Sequence, residues 1–168
     1  MHLRLANSSD IPQIIELERL PQSRQFIGQW SEERHRATLA SPDARYYLAD
    51  GADDRLDAYI ILRGFAESNH AVELKRVAVR TPGNGVGKAI LEELLRIVFV
   101  EHSAHRLFLD VFESNARARH VYERLGFVYE GRLRDAAFVD GEYHSLLLMS
   151  LLEPEYATRR ERNPASLS

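Results

Sequence analysis

The stretch Arg76-Val77-Ala78-Val79-Arg80-Thr81-Pro82-Gly83-Asn84-Gly85-Val86-Gly87-Lys88-Ala89-Ile90 constrains this chain more than any other. A β-branched apolar run enters three alternating glycines, and an amphipathic helical pattern follows. The glycines leave a backbone clear of side chains. A helix start adds amides without intrahelical acceptors and a partial positive charge. Together they make a seat for a phosphate or pyrophosphate. The plain alternative at this point is a glycine-rich helix start with no ligand.

Two familiar phosphate loops fail on spacing. A Walker loop needs glycine six positions before the lysine of its Gly-Lys pair, a hydroxyl residue after it, and four residues between the glycines. Pro82 stands at the first glycine position and Ala89 at the hydroxyl position. A dinucleotide fingerprint reads G-x-G-x-x-G, whereas these glycines alternate and position 88 is Lys88.

The length of 168 residues fits one domain that can bury its own core. A net charge of −3 and a pI near 6.2 argue against a general nucleic-acid binder. The absence of cysteine excludes a disulfide framework, a thiolate nucleophile and a cysteine-zinc site. No apolar run reaches membrane-spanning length, and Met1-His2-Leu3-Arg4-Leu5 lacks a signal-peptide core. The expectation is a cytoplasmic protein with no membrane contact.

Taken in order, residues 2–6 read as a short strand. A helix over about 10–20 is started by Asn7-Ser8-Ser9-Asp10 and Pro12 and ended by Pro21. An irregular stretch over 22–30 holds Phe26 and Trp30, and Ser31 caps a second helix to about Ala40. Strands over 45–49 and 56–65 are joined by a polar turn at 50–54. The strand Ala71 to Val79 feeds the glycine loop, and a third helix runs over about 85–100. A fifth strand covers 106–111 and a fourth helix 115–125. A long hairpin over 127–152 closes at Asp140-Gly141. The tail from Glu153 reads as polar and fraying. This order is mixed α/β with one central sheet. The crossover around the glycine loop makes strands four and five parallel.

A second motif lies on the fourth helix: Asn115-Ala116-Arg117-Ala118-Arg119-His120-Val121-Tyr122-Glu123-Arg124-Leu125-Gly126-Phe127. With the glycine loop, it resembles the GCN5-related N-acetyltransferase (GNAT) family from about Leu3 to Leu152. The family's Q/R-x-x-G-x-G/A loop falls on Pro82 to Gly87. Pro82 replaces the opening Gln/Arg, which removes one side-chain contact and leaves the backbone cradle. The N-x-x-A-x-x-x-Y-E-x-L-G-F pattern is matched at every defined position. The closing hairpin, Gly131-Arg132-Leu133-Arg134 through Met149-Ser150-Leu151, is similar to the branch with ribosomal-protein N-terminal and polyamine acetyltransferases.

The resemblance implies a single-domain GNAT-like α/β fold over residues 1–152, with a polar tail over 153–168. Its sheet of about seven strands is mixed, mostly antiparallel and splayed between strands four and five, with about four helices. It implies acetyl transfer from acetyl-CoA to a primary amine by direct attack, with no metal. A CoA-binding regulatory module and a transferase for a longer acyl group stay open as alternatives. Acetyl-CoA would place its pyrophosphate on the amides of Asn84, Gly85, Val86, Gly87 and Lys88. Backbone amides near Val77, Ala78 and Val79 would polarise the thioester, and Asn115 and Ala118 would contact pantetheine.

The resemblance makes Glu73 the general base and Tyr122 the general acid. Without it, Glu73 reads as a solvated strand-end residue and Tyr122 as a packed core tyrosine. Arg76 is placed to pair with Glu73 or to sit on a polar edge. Asp110 and Glu113 are backup bases. His102 and His105 have a possible metal spacing but no accompanying carboxylates, so they read as a solvated helix end. Arg24, Phe26, Trp30 and Arg34 would line the acceptor side. The acceptor itself, a protein N-terminus or a small amine, and a homodimer are both left open by the sequence.

Overall fold

The computed structural model describes residues 2–52 and 54–162. A short strand β1 (Arg4–Leu5) leads into a 3-10 turn at Ser8–Asp10. Asn7 accepts the Ser9 amide there and Asp10 accepts the Asn7 amide, a reciprocal cap that starts α1 (Ile11–Arg19). Pro21 does more than end this helix. Leu20 turns extended, and Pro21 then opens a four-residue helix α2 (Pro21–Arg24), where its missing N–H costs nothing. Ser31 caps α3 (Glu32–Leu39) by accepting the Arg34 amide.

Strands β2 (Ala44–Asp50) and β3 (Leu56–Arg63) form the expected hairpin. Asp53, in the turn read at 50–54, lies outside the described residues. Strand β4 (Ala71–Val79) enters the glycine loop, and α4 (Val86–Arg96) leaves it and ends in a π-helical turn over Ile97–Glu101. Strand β5 (Arg106–Phe112), helix α5 (Ala116–Leu125) and the hairpin β6 (Val128–Val139) and β7 (Glu142–Leu152) follow.

The chain does not fray directly after β7. Residues Glu153–Arg162 form a sixth helix, α6, against the expectation of about four helices and a loose tail. Its polar sequence hides one anchor: Tyr156 is buried and stacks on Phe99, ring centroids 5.0 Å apart. Glu155 also accepts the Leu152 amide at 2.9 Å. Residues 163–168 of that tail lie outside the described residues.

The seven strands form one sheet in the order β1-β2-β3-β4-β5-β7-β6. All pairs are antiparallel except β4 and β5. That parallel pair holds only at Ala71↔Arg106, Val72↔Leu107 and Glu73↔Phe108. Beyond Glu73, β4 continues along β3 while β5 continues along β7, so the sheet splays into a cleft.

A β-bulge sits where the splay begins. Ile61 pairs with Arg76 and Leu62 with Leu74, which leaves Lys75 as the extra residue. The bulge changes parity along β4. Val72 and Leu74 enter the core beneath α4 and α5, and Val77 and Val79 still pack against it. Without the bulge, those two valines would face the opposite side. Ala78 instead joins the second core, built by α1, Trp30, β2 and β3.

Candidate active site

The glycine loop is shaped as the sequence requires. Gly83 and Gly85 sit at φ 92° and 88°, where side chains are strained. Gly85 is the N-cap of α4, and the first helical bond runs from the Ala89 amide to its carbonyl at 3.1 Å. The Val86 amide is taken by the Asn84 side chain at 3.1 Å. The Gly87 and Lys88 amides lie in the first turn, where the helix supplies no acceptor. No acidic residue occupies that turn, so nothing competes with an incoming anion. The Lys88 ammonium leans back to Glu92 at 3.4 Å and is mostly exposed.

The β4 backbone supplies the next contacts. The Arg80 amide donates to the Asp57 carbonyl at 2.7 Å, so residue 80 bonds toward β3. The antiparallel alternation then sends the Val77 and Val79 amides toward the open side, while Ala78 bonds toward β3. Two unpaired strand amides and two unpaired helix amides thus line one cleft. They fit an extended ligand with an anionic end, which is what coenzyme A presents.

Two ionisable side chains pair at the mouth of the splay, and two more lie within electrostatic reach of one another around it. Glu73 occupies the last β4–β5 pair, and the Lys75 ammonium bonds its Oε1 at 3.1 Å. Arg76 does not pair with Glu73. Asp110 lies across the cleft on β5, close enough to feel both Glu73 and Lys75. It is exposed on the strand surface, yet desolvation by its surroundings raises its carboxyl pKa. The Lys75 ammonium pulls the other way, and the Glu73 charge adds to the rise. Tyr122, on α5, is buried beside Phe127, ring centroids 5.6 Å apart. Burial raises its phenol pKa and the Asp110 charge raises it further. That coupling puts the phenol within electrostatic reach of the cleft, and it stays protonated at any working pH. Asn115 caps α5 by accepting the Ala118 amide at 3.2 Å, which fixes the helix that carries Tyr122.

Glu113 stands apart from this group. Arg132 binds it through two nitrogens at 2.8 to 3.1 Å, and these bonds lower its pKa. A carboxylate held that way is a poor proton acceptor.

The residues read as the acceptor side divide in two. Phe26 meets Phe112 edge-on at 5.8 Å, and Phe112 meets His144 at 5.5 Å, so this aromatic row flanks the β5 side of the cleft. Arg24 is exposed. Trp30 turns into the second core, between the Arg76 guanidinium at 3.9 Å and the Arg34 guanidinium at 4.1 Å. Beneath it lies a sealed network absent from the sequence reading. Glu18 accepts from Tyr59 at 2.6 Å and from Arg76 at 2.8 Å, and His35 approaches at 3.4 Å. Glu18 falls on the buried face of α1, four residues after Ile14 and seven after Ile11. A carboxylate at that helical spacing was the available signal. His102 reads less simply than a solvated helix end: Tyr47 Oη lies 3.0 Å from its Nε2, and its ring lies on Phe65. The surface hollows beside α6, lined by residues such as Phe99 and Arg160 or Leu151 and Arg159, share no residue with the cleft.

Comparison with known proteins agrees with this geometry. The model of the acetyltransferase (GNAT) family matches residues 12–127. A protein of Bacillus subtilis strain 168 named as a ribosomal N-acetyltransferase, YdaF, is 30% identical over 92% of this chain and 92% of its own length. A spermidine N(1)-acetyltransferase of Vibrio cholerae is 26% identical over 86% of this chain and 90% of its own. The structure of a Vibrio cholerae spermidine N-acetyltransferase in complex with CoA and spermine superposes with a TM-score of 0.82. That match has 22% identity and covers 93% of this chain and 97% of the other. With a family model matching most of its length and a relative at this identity, the chain belongs to the acetyltransferase (GNAT) family and is an N-acetyltransferase that uses acetyl-CoA.

Proposed function

We propose that the chain acetylates a small primary amine of the polyamine class by direct attack on bound acetyl-CoA, with Glu73 as base and Tyr122 as acid. The observation that carries this reading is the Glu73–Lys75 pair placed where β4 leaves β5, with Asp110 across the splay on β5. Acetyl-CoA supplies an activated thioester. The loop over Asn84 to Lys88 holds its pyrophosphate, chiefly through the Gly87 and Lys88 amides, and Asn115 and Ala118 flank its pantetheine. The Val77 and Val79 amides draw electron density from the thioester carbonyl. Glu73 takes a proton from the acceptor's ammonium, directly or through one water, because a protonated amine cannot attack. Tyr122 gives its proton to the departing thiolate. Asp110 places a second negative charge beside the cleft, which suits a cationic acceptor.

The domain assignment of this reading is residues 1–152, with 153–168 appended. The hairpin β6–β7 leaves Phe138 and Tyr143 63% and 69% exposed, and Tyr129 and Leu133 also face water. That surface supports a homodimer, which light scattering tests: a monomer at micromolar concentration refutes it. A second reading, a protein amine such as an N-terminus as acceptor, draws on the likeness to the Bacillus subtilis protein named as a ribosomal N-acetyltransferase.

The decisive experiment measures free CoA release with spermidine, with simple diamines and with N-terminal peptides. Spermidine turnover that falls by two to four powers of ten in Glu73→Gln at pH 7 fits the reading. The deficit narrows as pH rises, since solvent then deprotonates the acceptor. Preference for a peptide moves the assignment to the second reading. A wild-type pH–rate profile in Glu73→Gln moves the base to Asp110.

A further inference from the structure

Of the 22 basic residues in this chain, only Lys75 and Lys88 are lysines. Arginine cannot lose its proton in a protein, whereas a lysine can become a nucleophilic amine. One of the two lysines stands inside the splay, bonded at 3.1 Å to the carboxylate placed to remove a proton from an amine. It is the bulged residue of β4, two residues beyond Glu73, the last strand residue paired with β5. Its side chain is 30% exposed, so it is not sealed away. It is also within electrostatic reach of Asp110, which in turn reaches Tyr122. A primary amine and a base therefore already meet in the splay without any acceptor bound.

We propose that Lys75 is an internal acetyl acceptor, modified by this chain's own active site when acetyl-CoA binds and no external amine competes. The inference rests on the reading that Glu73 and Tyr122 serve acetyl transfer. The Lys75 ammonium gives one proton to Glu73, and its lone pair attacks the thioester carbonyl. The N–C bond forms and the C–S bond breaks. The nitrogen of the adduct loses its second proton to solvent, the thiolate leaves with the proton of Tyr122, and the proton on Glu73 returns to Tyr122 through solvent, so one proton is released overall. One acetyl-CoA becomes one free CoA and one acetyl-lysine, and no other reactant is required. The product has no positive charge at position 75, so Glu73 loses its ion pair.

The test incubates the full chain with acetyl-CoA alone and follows it by intact mass and peptide mapping. One acetyl group is expected per chain, on Lys75. Placement beside the base should make Lys75 react at least about tenfold faster than Lys88, since held geometry replaces a bimolecular encounter. Its rate should be independent of protein concentration, as an intramolecular transfer requires. Lys75→Arg should abolish the label. Glu73→Gln, checked for a native melting curve, should slow it by at least about tenfold. In urea-unfolded chain the two lysines should label equally. Equal labelling in the folded protein, or label on Lys88 or the N-terminus alone, overturns the proposal. A rate that rises with protein concentration also overturns it, because transfer is then between molecules. CoA release with an external amine, measured in parallel, separates the two claims. Release without Lys75 acetylation refutes this inference and leaves the enzyme reading standing. Neither release nor label refutes both.

Discussion

Replacing Glu18 with Gln tests the buried network that holds the acceptor-side loop. Glu18 and Arg76 have side chains only 1% and 9% exposed, so solvent screens their attraction little. The Gln keeps the shape and still accepts from Tyr59, but it leaves the Arg76 guanidinium buried without its counter-charge. Breaking one partner of a buried pair costs about 3–5 kcal/mol. For a domain of this size each kcal/mol moves Tm by about 2–4 °C, so the melt should fall by about 6–20 °C. Arg76→Met should cost a similar amount. The double variant should recover much of the loss, because no uncompensated charge remains. Burial pushes the Glu18 pKa up, but the bonds from His35 and Tyr59 and the charge of Arg76 bring it below the usual carboxylate value. Its stabilisation is therefore present above the unfolded value near 4.5 and is lost as pH falls through the folded value. The gap between wild type and Glu18→Gln should close in acid. Thermal melts at several pH values measure all of this. A variant that melts within about 2 °C of wild type at pH 7 refutes the argument, since that shift is worth only about 1 kcal/mol or less.

The remaining predictions concern the cleft. Gly87→Asp should abolish acetyl-CoA binding by adding a negative charge to the first turn of α4, whereas Gly87→Ala should bind nearly normally, since its Cβ would meet only Val79 at 3.6 Å; calorimetry separates the two, and wild-type affinity in the Asp variant sinks the pyrophosphate seat. Tyr122→Phe should lower kcat by about 10- to 1,000-fold with little change in cofactor affinity, while a loss of folding instead marks a purely structural tyrosine. Asp110→Asn should raise Tm at pH 7. Its folded pKa is raised, so its contribution is favourable below the unfolded value near 3.8 and turns against the fold as pH climbs through the folded value. The advantage of the Asn variant should vanish near pH 3, and a lower melt at pH 7 contradicts the sign.

Local chemistry made some of this architecture legible. The strand, glycine loop and helix over 71–96 were readable because Gly83 and Gly85 need positive φ and the apolar period changes across them. Asp140 and Gly141, at φ 50° and 84°, likewise closed the last hairpin as a turn whose two residues both tolerate left-handed backbone. Features that depend on distant partners were harder to read. Helix α6 is polar except where Tyr156 finds Phe99, and that meeting depends on how α4 ends. Arg76 was free to pair with Glu73 until the fold brought Glu18 beneath it, fifty-eight residues away in sequence.

The bulge at Lys75 had a signal of its own. Apolar residues on β4 fall at 72 and 74 and then at 77 and 79, and a regular strand cannot keep all four on one face. The change of parity requires one extra residue between Leu74 and Val77. The extra residue also lets two consecutive basic side chains project to the same side of the sheet, which a regular strand forbids. They serve different carboxylates. Arg76 enters the sealed second core and binds Glu18, where a permanent charge and a stacking plane suit the faces of Trp30 and the carboxylate. Lys75 stays in the open splay on Glu73, where a compact amine that can give up its proton has a use that a guanidinium lacks. Exchanging the two residue types therefore should not be neutral in either direction. Lysine at 76 would lose the guanidinium plane stacked on Trp30 in a buried site, and arginine at 75 would keep the ion pair and lose the nucleophile.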